Sequence, residues 1–273
     1  MRVRVIWLMY GLVAAVTAVT YWRLPAGGTY NFDDTGASGA ASRVISYLNF
    51  PVAIAAIAIV GAVSRGTLAW VAIALCAVVA VPGVVSQDDL TASWVNAPAA
   101  VGVVLALWLT WGAPPPRRAV ALGPGRVVTA VVLAVWAIPW YIAAAGLYAQ
   151  DLPLAGHVIQ SRQPTPGEPG LASVHRGLHE GLFGVMLAVT ALALSRRRVP
   201  TALALYLAVM LCYGIAVAAN DGWHEQVVKR GWTDTTLPSV LTPKASAAWL
   251  ALIVASLAVW ALWFRREQLR LRR

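Results

Sequence analysis

Charge is scarce in this chain: Asp, Glu, Lys and Arg together make up 12% of its 273 residues, where a soluble domain carries about 25%. That scarcity excludes a disordered protein and an ordinary cytosolic enzyme. Cysteine is scarcer still. Cys76 and Cys212 each stand alone in an apolar run, which excludes a secreted disulfide scaffold and makes buried small hydrophobes the expectation for both. No phosphate-binding P-loop, Gly-rich dinucleotide motif or Gly-x-Ser-x-Gly elbow is present. Internal repeats are missing, and with them the inverted-repeat signature of many transporters. No acid, Lys or Arg lies deep within an apolar run, which weighs against a proton- or ion-coupled transporter.

What the chain has is apolar length. It is 59% hydrophobic, with a mean hydropathy of +0.69. Crossing a bilayer core takes about 20 mostly apolar residues. Eight such runs occur: Val5–Trp22, Val44–Val63, Leu68–Val85, Trp94–Trp111, Val127–Tyr148, Leu178–Leu194, Thr201–Ala219 and Ala245–Phe264. The runs are continuous rather than alternating, so a β-barrel does not compete. Pro82 and Pro98 interrupt the third and fourth, as membrane helices tolerate. The first run ends Tyr21-Trp22-Arg23 without a small-x-small cleavage site and is read as an uncleaved helix; cleavage would leave seven spans in the same orientation. The expected fold is therefore an all-α polytopic membrane bundle of eight helices, one integral membrane domain over residues 1–273.

Orientation follows from the basic residues. With the N-terminus in the cytoplasm, 14 of the 21 Lys and Arg fall in cytoplasmic segments, while only Glu267 of the 11 acids does. Both termini are expected in the cytoplasm, at the plasma membrane. The formal charge of +10 then requires no nucleic acid: its partner is membrane lipid, since anionic headgroups hold each nearby Lys or Arg by about 1 kcal/mol. The Arg-rich tail from Arg265 to Arg273 reads as a topology anchor, with a protein-docking tail as the other reading. Trp7, Trp22, Trp70, Trp94, Trp108, Trp111, Trp223, Trp249 and Trp263 sit near span ends, as interfacial belts. Trp136 and Trp140 lie deeper, as a packing face around Pro139 or the lining of a ligand cavity.

All four histidines, His157, His175, His179 and His224, fall on the outer side. His175 and His179 are four apart at the start of the sixth span, so a helix would stack both imidazoles on one face, the spacing that reaches one metal ion. Its outer N-terminal dipole keeps imidazole neutral, the form a metal needs. Ser173 is placed to cap it. Gly177 and Gly181 form a small-xxx-small pair on the other side. Just past the seventh span, Asn220-Asp221-Gly222-Trp223-His224-Glu225 begins the next outer loop. His224 would add a third nitrogen, Asp221 a fourth ligand, and Glu180 or Glu225 a general base. Three protein ligands plus water make a catalytic zinc site; copper is the other candidate. The plain reading stays open beside this one: Asn220 and Gly222 end a helix, Arg176 pairs with Glu180, and the histidines decorate helix ends. The pairs Asp33-Asp34 and Asp88-Asp89 read as solvated turns, and His157 as a loop residue.

Residues 146–232 resemble an uncharacterised family of bacterial multi-pass proteins common in actinobacteria. The resemblance rests on Gly146-Leu147-Tyr148, Asp151-Leu152-Pro153, the Pro- and Gly-rich Pro164–Gly170, His175-Arg176-Gly177-Leu178-His179-Glu180 and Arg196-Arg197-Arg198. Glu180 replaces that family's usual Asp, Leu152 splits its Asp-Pro, and eight spans stand where six are usual. The resemblance implies that the two histidines and the adjacent acid form a recurring unit, and it brings no reaction with it. Metal hydrolases of the alkaline ceramidase type also place three His and an Asp at one membrane face, but their serine and aspartate helix motifs are missing here. Two functions are expected: a metal-dependent hydrolase of a lipid or amphiphile at the outer leaflet, or a non-enzymatic permease-like or accessory subunit whose outer loops contact a partner.

Overall fold

The computed structural model describes residues 2–23, 36–81, 94–116, 119–121, 123–138, 140–141, 162–164, 171–173, 180–228, 232–241 and 243–272. These are helical apart from connecting segments, a two-strand ladder of β1 (Arg162–Pro164) and β2 (Leu171–Ser173), and one isolated bridge. The helices are α1 (Val3–Arg23), α2 (Gly36–Tyr47), α3 (Ala53–Val63), α4 (Thr67–Ala77), α5 (Ala97–Thr110), α6 (Pro124–Trp136), α7 (Glu180–Leu194), α8 (Thr201–Gln226), α9 (Ala247–Val259) and α10 (Arg265–Arg272). Two π-helical turns, Leu48–Val52 and Trp260–Phe264, join α2 to α3 and α9 to α10. Among the described residues, three continuous helical stretches are long and apolar enough to cross a membrane: Gly36–Val63, Thr201–His224 and Ala247–Leu269.

Several boundaries differ from expectation, each for a local reason. The third run stops as helix at Ala80, because Val81 is extended (φ −85°, ψ 112°), the conformation forced on a residue before proline. Pro98 does not interrupt the fourth helix but sits in its first turn, where a missing N–H costs nothing. Pro51 kinks the second: Phe50 leaves helical geometry (φ −140°, ψ 117°), as a proline inside a helix demands. Asn49, buried at this kink, has neither amide atom hydrogen-bonded among the described residues. Helix α8 runs on to Gln226, so Asn220–Gln226 is helix and not the start of a loop.

Helix α7 is the hub. Eleven of its residues, from Gly181 to Leu194, are buried, as expected of a helix apolar all round. Its most extensive partner is α8. They cross where Gly184 meets Gly214: a Cβ on either would fall on the other's carbonyl oxygen. Small residues allow such backbone approach, and van der Waals contact there binds the pair. An aromatic column runs through the bundle from Tyr10 to Tyr47, Phe183, Phe50, Tyr213 and Trp249, with successive centroids 5.3–6.4 Å apart. Its tyrosine hydroxyls are satisfied: that of Tyr10 shares a hydrogen bond with Thr190 (3.2 Å), that of Tyr47 donates to the Tyr10 carbonyl (3.0 Å) and that of Tyr213 to the Leu241 carbonyl (2.8 Å). Trp7, expected in a belt, is 5% exposed and donates to Thr110 Oγ1; its neighbouring helix α5 covers it. Trp22, Trp70, Trp94 and Trp108 are exposed.

At the α7 C-terminus the chain ties itself to its own tail. Arg126 Nη1 donates to Glu267 Oε1 (2.7 Å), Nη2 to Glu267 Oε2 and to Ser195 Oγ (3.1 Å), and its guanidinium lies 5.2 Å over the Trp263 ring. The Trp263 indole also donates to Glu267. Gln268 accepts from the Val199 N–H and donates to the Ser195 and Arg197 carbonyls. The tail is thus a continuation of the last helix, docked by Glu267 and Gln268 rather than trailing free. Burial lowers the Arg197 guanidinium pKa from its ordinary value.

Candidate functional site

The opposite end of the α7–α8 pair holds the residues singled out by the sequence. The antiparallel pair sets the last turns of α8 beside the first turn of α7. Asp221 Oδ2 accepts the Gly181 N–H at 3.0 Å, so an acid on one helix caps the N-terminus of the other. Both terms favour it: an orphan N–H is satisfied and a negative charge meets the positive end of the dipole. Gly181 is needed for this approach, since a Cβ there would lie 2.6 Å from Asp221 Oδ2 and overlap the Trp140 ring. Gly222, read as a helix stop, is instead buried under Trp136, whose ring lies 2.6 Å from where a Cβ would stand. The Trp136 indole donates to the Ala218 carbonyl at 2.9 Å. Both tryptophans therefore pack on glycines, and Gly214, Ala218 and Gly222, four apart, make one close-approach stripe on α8.

Glu180 opens α7 and is exposed. His224 lies half-buried in the last turn of α8, with Nδ1 2.8 Å from the Asn220 carbonyl oxygen. A carbonyl only accepts, so Nδ1 carries the proton and donates, leaving Nε2 for another partner. Glu225 lies on α8 beyond the description of its side chain. His175, His179 and His157, with Asp33, Asp34, Asp88 and Asp89, lie outside the described residues. Among the described residues no three His, Cys, Asp or Glu gather around one point as metal ligands. Cys76 is a buried free thiol and Cys212 a half-buried one.

An extended strap, residues 232–241, covers this end of α8. Asn220 Nδ2 donates to the Leu237 and Pro238 carbonyls (3.1 Å each), Trp223 Nε1 to Thr235 O (2.8 Å), and the Tyr213 hydroxyl to Leu241 O (2.8 Å). Val240 and Leu241, at the end of the strap, are buried.

Sequence reasoning passed over the polar tie of Arg126, Ser195, Glu267 and Gln268. Its signal was present: Glu267 is the only acid assigned to the cytoplasmic side.

Asp221→Ala is expected to lower stability by about 1–2 kcal/mol, and Asp221→Asn by less, because asparagine keeps an acceptor and loses only the charge. Thermal melts of the three proteins in one detergent check this; identical midpoints would make the contact idle. Against family models, curated proteins and solved structures, the chain has no match.

Proposed function

We propose that this is an eight-span plasma-membrane protein, both termini cytoplasmic, whose outer face carries a metal-binding His/acid group that hydrolyses a lipid or amphiphile. The observation that supports the reading is the Asp221 contact to Gly181. It brings the α8 turn bearing His224 against the helix start that directly follows His175 and His179 in the chain. His224 would offer Nε2 to the ion, His175 and His179 the other nitrogens, and Glu180 or Glu225 would take the proton from bound water. Asp221, assigned as a ligand from sequence, already serves a backbone N–H, which makes it the better candidate for holding the two helices together.

The second reading, a non-enzymatic membrane component, is favoured by the structural use of Asp221, whose carboxylate holds the start of α7. Metal content of detergent-purified protein separates the two. Near-stoichiometric zinc or copper is expected in the wild type, and none in His175→Ala/His179→Ala; folded wild type without metal would leave only the second reading. Topology is checked apart from this by single cysteines at exposed Trp232 and Arg266: impermeant maleimide on intact cells is expected to label the first and not the second.

A further inference from the structure

Asn49 is a polar residue that the bundle leaves unserved. It is 3% exposed, and among the described residues neither Nδ2 nor Oδ1 has a hydrogen-bond partner. Neither atom has surface that a water could touch, so solvent cannot serve as the partner in this arrangement. An amide buried in this way carries the full cost of its desolvation, and within a membrane-length helix such a side chain marks a functional point.

The fold places that cost where it can be relieved. Asn49 lies in the π-helical turn Leu48–Val52, where Phe50 leaves helical geometry and Pro51 offers no N–H. The helix can pivot there with few backbone bonds to break. Its two halves also belong to different neighbours. Helix α2 packs chiefly on α1, and the Tyr47 hydroxyl is bonded to the Tyr10 carbonyl across that pair. Helix α3 packs chiefly on α4 and α5. Two buried hydrogen bonds from α1 latch the α1–α2 pair to the other helices: Trp7 Nε1 to Thr110 Oγ1 (2.8 Å), and the hydroxyls of Tyr10 and Thr190 with each other (3.2 Å). A polar face leads to the joint. Ser38, Ser42, Ser46 and Asn49 recur at helical spacing and share one side of the helix, from exposed Ser38 through buried Ser42 and half-buried Ser46.

We infer that residues 48–52 are a hinge between two packed states, and that the arrangement seen is the dehydrated one. In the other, the α1–α2 pair swings as a unit and water reaches the Asn49 amide along the serine face. Hinges of this kind switch between discrete packings because packed cores do not deform continuously. The hinge is separate from the outer His/acid group and does not depend on it.

Hydrogen-exchange mass spectrometry of the full chain in one detergent tests this, following residues 44–54 against residues 203–217 of α8 as reference. Asn49→Leu, close in volume but without the amide, is expected to slow exchange in 44–54 severalfold and to raise the melting midpoint by about 2–4 °C. Thr190→Val, which removes one latch at the same volume, is expected to speed exchange in 44–54 severalfold relative to 203–217. An Asn49 that merely supports this packing gives the opposite sign, with Asn49→Leu lowering the midpoint or failing to fold. That result, or exchange in 44–54 that neither variant moves relative to 203–217, overturns the inference.

Discussion

Arg126→Ala is expected to destabilise the protein by about 3–5 kcal/mol, the cost of leaving one partner of a buried ion pair behind. An exposed pair would be worth about 0–1 kcal/mol, and burial decides between the two: the Arg126 and Glu267 side chains are 4% and 13% exposed. Glu267→Ala is expected to cost as much, because it strands the guanidinium and also removes the acceptor of the Trp263 indole. Arg126→Lys is not expected to rescue, since an ammonium cannot span both carboxylate oxygens and Ser195 as the planar fork does. The Arg126→Ala/Glu267→Ala protein is the informative one. It is expected to lose clearly less than the two single changes together, as contacting residues in one network do. Chemical unfolding in a single detergent gives all four values, and a strictly additive double mutant would deny the coupling.

Gly184→Leu is expected to abolish the folded monomer. The Gly214 carbonyl oxygen and the Ala218 N–H occupy the place of any side chain at that position. Neither is the flexible tip of a side chain, so relief requires separating α7 from α8, the largest contact in the bundle. Overpacking ordinarily costs about 1–3 kcal/mol where side chains can move aside; at a backbone-to-backbone crossing the loss is expected above that range. Gly214→Leu should behave alike. Gly11→Leu is the control, since nothing lies within 4 Å of a Cβ there. Size-exclusion profiles of detergent extracts, monodisperse for Gly11→Leu and aggregated for the other two, check the expectation.

Helix existence was legible in the sequence because apolar length carries it: a helix, interrupted or not, starts within or close beside each of the eight runs. Which face of each helix is buried was not legible. Helices α7 and α9 are equally apolar by eye, yet α7 is buried through its length while only Leu252 and Ser256 are buried in α9. Lipid tails and a protein interior make the same demand on a side chain, so hydropathy cannot distinguish them; the small residues Gly184, Gly214 and Ala218 could. Gly222 shows the limit of local rules. A glycine after a polar turn looks like a helix end, and only the Trp136 ring, brought from 86 positions upstream, explains why it continues the helix instead. Of the acids and histidines named from the sequence, Glu180 lies at the start of α7 and Asp221 and His224 lie in the last turns of α8, the ends that the Asp221 bond joins. The Asp221 bond to Gly181 was not legible, because a cap supplied by another helix leaves no spacing in the sequence.

The tie between Arg126 and Glu267 also orders events in time. Its partners are 141 residues apart in the chain, and at about 5–20 residues per second a ribosome needs about 7–28 s to travel that distance. Throughout that interval the arginine has been made and its carboxylate has not. The nascent bundle therefore holds a cation with no counter-ion of its own until the last helix arrives. Closure of the pair waits on α10, and a product arrested before residue 267 carries an unneutralised charge by which it differs physically from one that has passed it.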